Sequence, residues 1–328
     1  MTLRLGLLST ANINLKLLGG ARAAEGVEVV AVASRAADRA EAFAAEHGIA
    51  RAYGDYDELL ADPDVDAVYV PLPNSLHVRW AIRALLAGKH VLAEKPLTRR
   101  PEEAQAAFDA AEHAGKILAE GFMWRHHPQT RRLRELVRER AIGTLRLVRA
   151  SFCFNIFGMD RPDDVRLQAT LDGGGLMDVG CYCVSAMRLL AGEPERVSGH
   201  QIISQPGPEG VDVRFTGTLA LPGRVLGVFD CWLDMAARHE LEVVGDAGSL
   251  LLADPWHCRT PGIELRRDDG TEVIEIPAVD PYACELEDFA AAVRGERPFP
   301  FWRDDAVGQA RTIEALYRSA QFGADAVP

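Results

Sequence analysis

Lysine is scarce in this chain, and no block of basic residues compensates for it. Four of the 328 residues are lysine, and 36 basic against 48 acidic residues give a formal net charge of −12. Phosphate backbones and anionic membranes are bound by concentrated positive surfaces, which this composition lacks. No apolar run approaches the ~20 residues of a membrane span. We therefore expect neither a nucleic-acid partner nor a membrane partner.

The cysteines show no metal-binding or disulfide pattern. The one close pair, Cys181 and Cys183, has no second pair at the spacing of a zinc site. Residues 1–8 enter an apolar stretch without a charged region or a small-residue cleavage site, so no secretory signal is visible. We expect reduced thiols and a cytoplasmic location. The six cysteines are Cys153, Cys181, Cys183, Cys231, Cys258 and Cys284.

The first third of the chain alternates short apolar runs with helical segments. A chain of 328 residues exceeds the roughly 250 to 300 residues at which a single core stops growing, so we expect two domains. Strand, helix and strand repeat with short connections, which is the pattern of a parallel sheet with ligands at the carboxyl ends of its strands. The pattern predicts a dinucleotide-binding Rossmann domain over residues 1–121. The predicted strands include 3–8, 27–33, 65–70 and 90–93.

Beyond this domain, period-2 runs separated by Gly and Pro become frequent. Closely spaced strands of this kind predict a large, mainly antiparallel open sheet in an α+β domain over 122–328, with one embedded helix at 177–190. We assign substrate binding and oligomerisation to this domain. An open sheet exposes one apolar face unless another copy covers it, so a homodimer or homotetramer is expected. The runs are 145–154, 217–221, 225–229, 240–244 and 273–276.

The turn after the first strand lacks the three glycines of the usual dinucleotide motif. Ala11 still allows close approach of a pyrophosphate, and Ser9, Thr10 and Asn12 form caps and turns and can donate to phosphate. The alternative is an ordinary capped helix after a strand. The hexad is Ser9-Thr10-Ala11-Asn12-Ile13-Asn14.

The residues after the second strand favour a phosphorylated cofactor. A ribose 2′-hydroxyl is usually bound by an acidic residue at this position, but the chain has Ser34 and Arg35, with Arg39 one turn later. A guanidinium binds a 2′-phosphate through charge-assisted hydrogen bonds. We expect NADP, with NAD as the alternative cofactor. The competing interpretation is that both arginines belong to a solvated helix start.

Two residues far apart in the chain form a candidate acid–base pair. Lys95, in Glu94-Lys95-Pro96, follows a predicted strand and lies at the carboxyl edge of the sheet. Tyr182 follows a glycine loop and lies four residues after Asp178, on the same face of a predicted helix. A phenol titrates near ~10, and a neighbouring ammonium favours its ionised form, which suits a general base. The alternative for Tyr182 is a packed core tyrosine.

These motifs together resemble the Gfo/Idh/MocA oxidoreductases over nearly the whole chain. The resemblance is strongest to the branch that contains dimeric dihydrodiol dehydrogenase and NADP-dependent D-xylose 1-dehydrogenase, where a tyrosine stands at the position of Tyr182. Asn14 departs from the family, in which small residues are common at this position. The matching segments are Ser9–Ile13, Val70–His77, Ala93–Pro96, Phe122–Pro128 and Gly173–Tyr182.

The resemblance implies roles for individual residues. It implies that Lys95 and Tyr182 are the catalytic pair and that Asp178 binds a substrate hydroxyl. Nicotinamide would lie beside the segment from Leu72 to His77. The residues implied or inferred to bind the cofactor are Ser9, Thr10, Ala11, Asn12, Ile13, Ser34, Arg35, Arg39, Leu72, Pro73, Asn74, His77, Glu94 and Lys95.

Aromatic and basic residues of the second half are candidates for substrate contact. Trp124 and Arg125 lie in the family motif at the mouth of the cleft, where an aromatic face stacks on a sugar and arginine donates to hydroxyls. Phe154 and Trp256 are further candidates of this kind. The alternative for Trp124 and Arg125 is a packed aromatic and a surface ion at the domain junction.

The histidines near these motifs do not form a metal-binding pattern. His77, His126 and His127 lack a third ligand at suitable spacing, so we predict no metal.

The sequence thus predicts a hydride-transfer enzyme acting on a sugar or cyclic diol. With an aldose, as in a D-xylose 1-dehydrogenase, the product is a lactone. Two alternatives remain open: an NADPH-dependent keto-sugar reductase, because the same pair donates a proton as readily as it accepts one, and a non-catalytic NADP-binding sensor, which would need neither Lys95 nor Tyr182. The direction of the reaction is not fixed by the sequence.

Overall fold

A computed structural model describes residues 2–159, 161 and 163–328, and the chain forms two compact units. The sequence analysis placed everything after residue 121 in the second domain, whereas 279–307 pack with the first unit. The first unit comprises Met1–Thr98, Glu102–His126 and Val279–Val307, and the second comprises Arg99–Pro101, His127–Ala278 and Gly308–Pro328.

The strands and helices follow one another along the chain as follows. The strands are β1 Leu3–Leu8, β2 Val27–Ala33, β3 Arg51–Tyr53, β4 Ala67–Val70, β5 His90–Glu94, β6 Leu118–Gly121, β7 Leu145–Asn155, β8 Arg196–Ile203, β9 Asp212–Leu221, β10 Val225–Trp232, β11 Asp234–Gly245, β12 Ser249–Leu252, β13 Gly262–Arg267 and β14 Gly270–Glu275. The helices are α1 Asn14–Ala23, α2 Ala37–His47, α3 Tyr56–Ala61, α4 His77–Leu86, α5 Pro101–Ala114, α6 Pro128–Arg138, α7 Cys181–Ala191, α8 Pro281–Val293 and α9 Arg303–Phe322.

The sheet of the first unit is parallel throughout. Its six strands run in the order β3-β2-β1-β4-β5-β6. Its inner strands are short apolar runs, as is typical of a parallel sheet covered on both faces, and all four residues of β4 are buried. The edge strand β3, Arg51–Tyr53, has no buried residue. The chain reverses its direction of winding between β1 and β4, which is where ligands bind in sheets of this type. The predicted Rossmann-like architecture is confirmed.

The second unit contains the predicted large sheet. Its eight strands run in the order β14-β13-β12-β11-β7-β10-β9-β8, and all neighbours are antiparallel except β7 and β10. Buried and exposed residues alternate along β10, where Val225 and Phe229 face the core and Leu226 faces outward. The helix α7 packs on β7 and β10. The α+β class is confirmed, although the sequence analysis did not name β3, β8, β12 or β13.

The embedded helix of the second unit differs from the prediction at its start. Residues Leu176–Gly180 form a π-helical turn, and regular α-helix begins only at Cys181. The four-residue spacing of Asp178 and Tyr182 therefore crosses a change of helix type, so the α-helical rule that places them on one face does not apply. Single π-helical turns occur frequently at functional sites.

Among the described residues, no helix combines the length and the apolar character that crossing a bilayer requires.

Candidate active site

The predicted cofactor residues of the first unit lie where four neighbouring strands end. The strands β2, β1, β4 and β5 are adjacent and parallel, so their carboxyl ends meet at one edge of the sheet. The structure therefore brings together segments that are far apart in sequence. They are Ser9–Ile13 after β1, Ser34 and Arg35 after β2, Leu72, Pro73, Asn74 and His77 after β4, and Glu94 and Lys95 at the end of β5.

A serine makes the tight turn after β1 that glycine usually makes. Ser9 has a φ of 136°, in the region that favours glycine. Its Oγ accepts a hydrogen bond from the Ala11 N–H at 3.2 Å, and the Asn14 side chain donates to the Ser9 carbonyl at 2.6 Å. The ten-residue helix α1 starts at Asn14. This turn therefore presents the N-terminus of a helix, which favours a phosphate group.

Two exposed arginines lie beside that turn. The Arg39 guanidinium donates to Thr10 Oγ1 at 3.2 Å, which joins α2 to the turn after β1. Burial raises the pKa of Tyr56, and the positive charges of Arg35 and Arg39 oppose this rise, so both guanidinium groups lie close to the phenol. The arrangement fits a dinucleotide with a 2′-phosphate, because two cations lie at the strand end where an acidic residue would otherwise bind a ribose.

The loops after β4 and β5 are joined by a buried histidine. The two ring nitrogens of His77 lie 2.9 Å from the Pro96 carbonyl oxygen and 2.6 Å from that of Leu72. Burial lowers the pKa of His77 to about 4. His77 therefore lies between the two loops as a neutral ring, which donates a hydrogen bond to only one of the two carbonyl oxygens. Its predicted contact with the cofactor stays a prediction.

The turn that contains Lys95 is fixed by carboxylates. The peptide bond between Lys95 and Pro96 is cis. Tyr69 donates a hydrogen bond to the Glu94 carboxylate. On the other side of the turn, the Leu97 N–H donates to Glu120 Oε1 at 2.7 Å. The Glu94 side chain before Lys95 is thus held by Tyr69, and the backbone after Lys95 is held by the buried Glu120 side chain.

Trp124 and Arg125 are both buried in the first unit. They lie in a short 3₁₀ helix after β6, and only 2% of Arg125 is exposed. The guanidinium pairs with Asp305 and lies 4.7 Å from the ring centres of both Phe122 and Phe301. Arg125 is therefore not the surface ion that we weighed as its alternative. The predicted substrate contact of both residues stays a prediction.

Tyr182 lies in an aromatic cluster of the second unit. Its ring centre is 5.2 Å from that of Phe152 and 5.8 Å from that of Trp256. Trp256 is fully buried and donates its indole N–H to the Ser151 carbonyl at 2.9 Å. Phe154, also on β7, is half-buried. Phe152 and Trp256 thus pack against the Tyr182 ring. The substrate contacts predicted for Phe154 and Trp256 stay predictions.

The Asp178 carboxylate has a partner that the sequence analysis missed. Arg166 Nε lies 2.7 Å from Asp178 Oδ2, and the same guanidinium lies 3.1 Å from Asp164. The charges of the two carboxylates raise the pKa of Arg166. Arg166 belongs to an irregular segment without periodicity, so no local pattern could have linked it to Asp178.

The histidines considered for a metal have structural partners. His126 Nδ1 lies 2.6 Å from Asp288 Oδ2, and His127 caps α6 by accepting from the Gln129 N–H at 3.1 Å. A different group, His239, Asp254 and His257, brings possible ligand atoms together in the second unit. The sequence analysis did not single out these residues, because His239 lies on a different element from Asp254 and His257.

Comparisons with known proteins agree with this geometry. A family model described as an oxidoreductase family with an NAD-binding Rossmann fold matches residues 10–122, and the GFO/IDH/MocA C-terminal domain matches 130–251. The chain belongs to the Gfo/Idh/MocA oxidoreductase family. The expected family, fold and class, a nicotinamide-dependent oxidoreductase, are thereby confirmed, which favours the enzyme over the sensor.

Family members with named activities align with 86–97% of this chain. D-xylose 1-dehydrogenase (NADP(+)) 2 of Haloferax volcanii is 41% identical over 97% of this chain and 98% of that protein. Trans-1,2-dihydrobenzene-1,2-diol dehydrogenase of Danio rerio is 33% identical over 86% of this chain and 82% of that protein. KijD10, a 3-ketoreductase from Actinomadura kijaniata solved with NADP and TDP-benzene, has a TM-score of 0.89 and 34% identity over 97% of this chain and 98% of that one.

Proposed function

We propose that this protein is an NADP-dependent dehydrogenase that oxidises a CH–OH group of a sugar or cyclic diol, with an aldose giving a lactone as in D-xylose 1-dehydrogenase. The observation that carries the cofactor choice is the contact of Arg39 with Thr10, with Arg35 close by, at the end of β2. The 41% identical relative named as an NADP-dependent D-xylose 1-dehydrogenase supports the substrate class.

The first unit supplies the groups that would hold the dinucleotide. The turn Ser9–Ile13 and the N-terminus of α1 suit its pyrophosphate, and Arg35 and Arg39 suit its 2′-phosphate. The segment from Leu72 to Asn74 suits the nicotinamide, with His77 behind it. When bound, NADP supplies the hydride acceptor.

In this proposal Tyr182 acts as the general base. Its phenolate, stabilised by the Lys95 ammonium, takes the proton of the substrate hydroxyl and becomes a phenol. The same ammonium stabilises the negative charge that develops on the substrate oxygen as the hydride leaves the adjacent carbon. Asp178 accepts a hydrogen bond from a neighbouring substrate hydroxyl, and Arg166 holds the Asp178 carboxylate in place. Trp124, Arg125, Phe154 and Trp256 would contribute to substrate orientation.

A second candidate is the reduction of a keto-sugar by NADPH. The likeness to the 3-ketoreductase KijD10, at a TM-score of 0.89, favours it. In this direction Tyr182 donates its proton to the carbonyl oxygen, and the same positive charge of Lys95 stabilises the alkoxide. The two candidates differ in substrate and direction but share the residues.

The test is the absorbance of reduced nicotinamide with NADP or NAD and a panel of D-xylose, D-glucose, inositols and cyclic diols. Appearance of the band with an aldose and NADP supports the dehydrogenase. Loss of the band from NADPH with a nucleotide-linked keto-sugar, and no reaction with the panel, supports the reductase. Tight NADPH binding without reaction in either direction would overturn both.

The cofactor choice has its own control. Arg39→Glu should lower kcat/KM for NADP relative to NAD by about 10- to 100-fold, since charge-assisted hydrogen bonds contribute about 1.5–3 kcal/mol. Arg22→Glu, at the opposite end of α1, should leave the ratio unchanged. An unchanged ratio in Arg39→Glu would contradict the assignment.

We also propose a homodimer or homotetramer in the cytoplasm. Leu226 and Val228 lie two residues apart on the outward face of β10 and are 57% and 38% exposed, and neighbouring exposed apolar side chains suit an interface between copies. The mass of the purified protein in solution, measured by light scattering, tests the assembly. A monomer at assay concentration would refute it.

A further inference from the structure

Three side chains of the second unit converge outside the proposed catalytic pair. His239 lies on β11, and Asp254 and His257 lie in the segment that follows β12. One nitrogen or oxygen atom from each lies within 4.8 Å of the others. Within the described part of the chain, this is the one group of three His, Cys, Asp or Glu side chains that meets this distance.

The two imidazoles carry buried nitrogens that no hydrogen bond satisfies. Nε2 of His239 and Nδ1 of His257 are both buried, and neither makes a hydrogen bond of good geometry among the described residues. Nδ1 of His257 lies 3.4 Å from Asp254 Oδ1. Ligands about 2.0–2.1 Å from a tetrahedral Zn²⁺ ion are separated by about 3.4 Å, so this spacing is that of two ligands sharing one ion.

The Asp254 carboxylate is held in a fixed orientation by its own loop. The Asp254 carboxylate accepts from the backbone N–H groups of Arg259 at 2.9 Å and His257 at 3.3 Å, and such hydrogen bonds orient ligand carboxylates.

We propose that His239, Asp254 and His257 bind one divalent transition-metal ion of the Zn²⁺, Co²⁺ or Ni²⁺ class. Two imidazoles and one carboxylate are a ligand set that such ions prefer, with the remaining position left to water. The sequence analysis predicted no metal from the spacing of the histidines. This site was not visible there because its ligands come from two elements that the sheet brings together.

The ion would brace the aromatic cluster around Tyr182. Trp256 lies between two of the ligands in sequence and stacks on Phe152 with ring centres 5.9 Å apart and planes 9° apart. Phe152 in turn contacts the rings of His239, at 4.9 Å, and Tyr182, at 5.2 Å. The metal would thus join β11 to the segment that carries Trp256. We assign it a structural role, and the inference does not depend on the proposed substrate.

The experiment uses full-length protein without a histidine tag, dialysed against a chelator and then titrated with Co²⁺ alone. We expect one Co²⁺ per chain with the visible absorption of a low-coordinate site, displaced by Zn²⁺, and a higher melting temperature with Zn²⁺ than without. A wild-type protein that binds no Co²⁺ would overturn the proposal.

Matched variants separate this site from adventitious binding. His239→Gln and the nearly isosteric Asp254→Asn should lose the Co²⁺ band and the Zn²⁺-dependent rise in melting temperature. His200→Gln replaces an exposed histidine on β8 and should keep both. Circular dichroism checks that each variant is folded, and if His239→Gln is not, Asp254→Asn alone decides. Full Co²⁺ binding by a folded Asp254→Asn would refute the proposed site.

Discussion

Adding one methyl group to Gly20 should destabilise the protein, whereas adding it to the adjacent Gly19 should not. Both glycines lie inside α1, where alanine is favoured over glycine by about 0.5–1 kcal/mol. A Cβ on Gly20 would lie 2.5 Å from the Cβ of Tyr282, 2.8 Å from its carbonyl carbon and 2.9 Å from the backbone nitrogen of Ala283. The atom nearest to a Cβ on Gly19 is an oxygen of Asp280, 4.0 Å away.

The magnitude follows from the rigidity of what the new methyl group meets. The contacted atoms belong mostly to the backbone of α8, so the steric clash can be relieved only by moving one helix against the other. Such overpacking costs about 1–3 kcal/mol. The gain in helix propensity is common to both variants and cancels between them. Gly20→Ala should therefore have a free energy of unfolding about 1–3 kcal/mol below that of Gly19→Ala.

Urea unfolding and thermal melting of the two variants measure this difference. At roughly 2–4 °C per kcal/mol, Gly20→Ala should melt about 2–12 °C below Gly19→Ala. Since α1 follows the Ser9–Ile13 turn, NADP binding should weaken in Gly20→Ala only. Equal stabilities would refute the close approach of α1 and α8 and, with it, the inclusion of residues 279–307 in the first unit.

Three further predictions concern buried titratable groups and the proposed chemistry. Burial raises the pKa of Asp212 from 3.8 to about 6, so the folded state retains a proton that the unfolded chain releases, and its stabilising contribution is lost as pH rises through this window. The free energy of unfolding, compared with that of Asp212→Asn, should fall by about 3 kcal/mol across it, and a difference independent of pH would contradict this. For His77 the sign is opposite, because burial lowers its pKa from 6.5 to about 4 and the unfolded chain binds the extra proton. Relative to His77→Gln, the free energy of unfolding of the wild type should fall by about 3 kcal/mol as pH falls from 6.5 to 4, measured by urea unfolding. A rise in this free energy would show that the ring is charged in the folded state. Lys95→Ala and Tyr182→Phe should each reduce turnover at least ~100-fold in the nicotinamide assay, and near-normal rates in both would refute the proposed acid–base pair.

The cofactor region could be predicted because its residues follow strands that are visible locally. The strands β1, β2, β4 and β5 are mostly buried apolar runs, and the residue after each lies at the carboxyl edge whatever the rest of the chain does. Ser9, Arg39 and Lys95 were found in this way. The contact of Arg39 with Thr10 follows from the adjacency of β1 and β2, which parallel winding dictates.

Contacts between distant segments could not be predicted by the same reasoning. Arg125 pairs with Asp305, 180 residues later, and nothing in the local pattern of either indicates the other. Arg166 lies in an irregular segment, so its pairing with Asp178 depends on how that segment folds back. The change to a π-helical turn at Leu176 also has no signature in a pattern that α-helix would satisfy equally well.

The sequence by itself determined the parallel and antiparallel sheets, the carboxyl edge that carries the cofactor residues, and the family to which the chain belongs. These depend on periodicity and on short motifs, which act over a few residues. Only the tertiary structure decided that 279–307 join the first unit, that His77 joins two loops, and that His239, Asp254 and His257 converge. Such features depend on which surfaces bury one another, and packing over long distances along the chain leaves no local pattern.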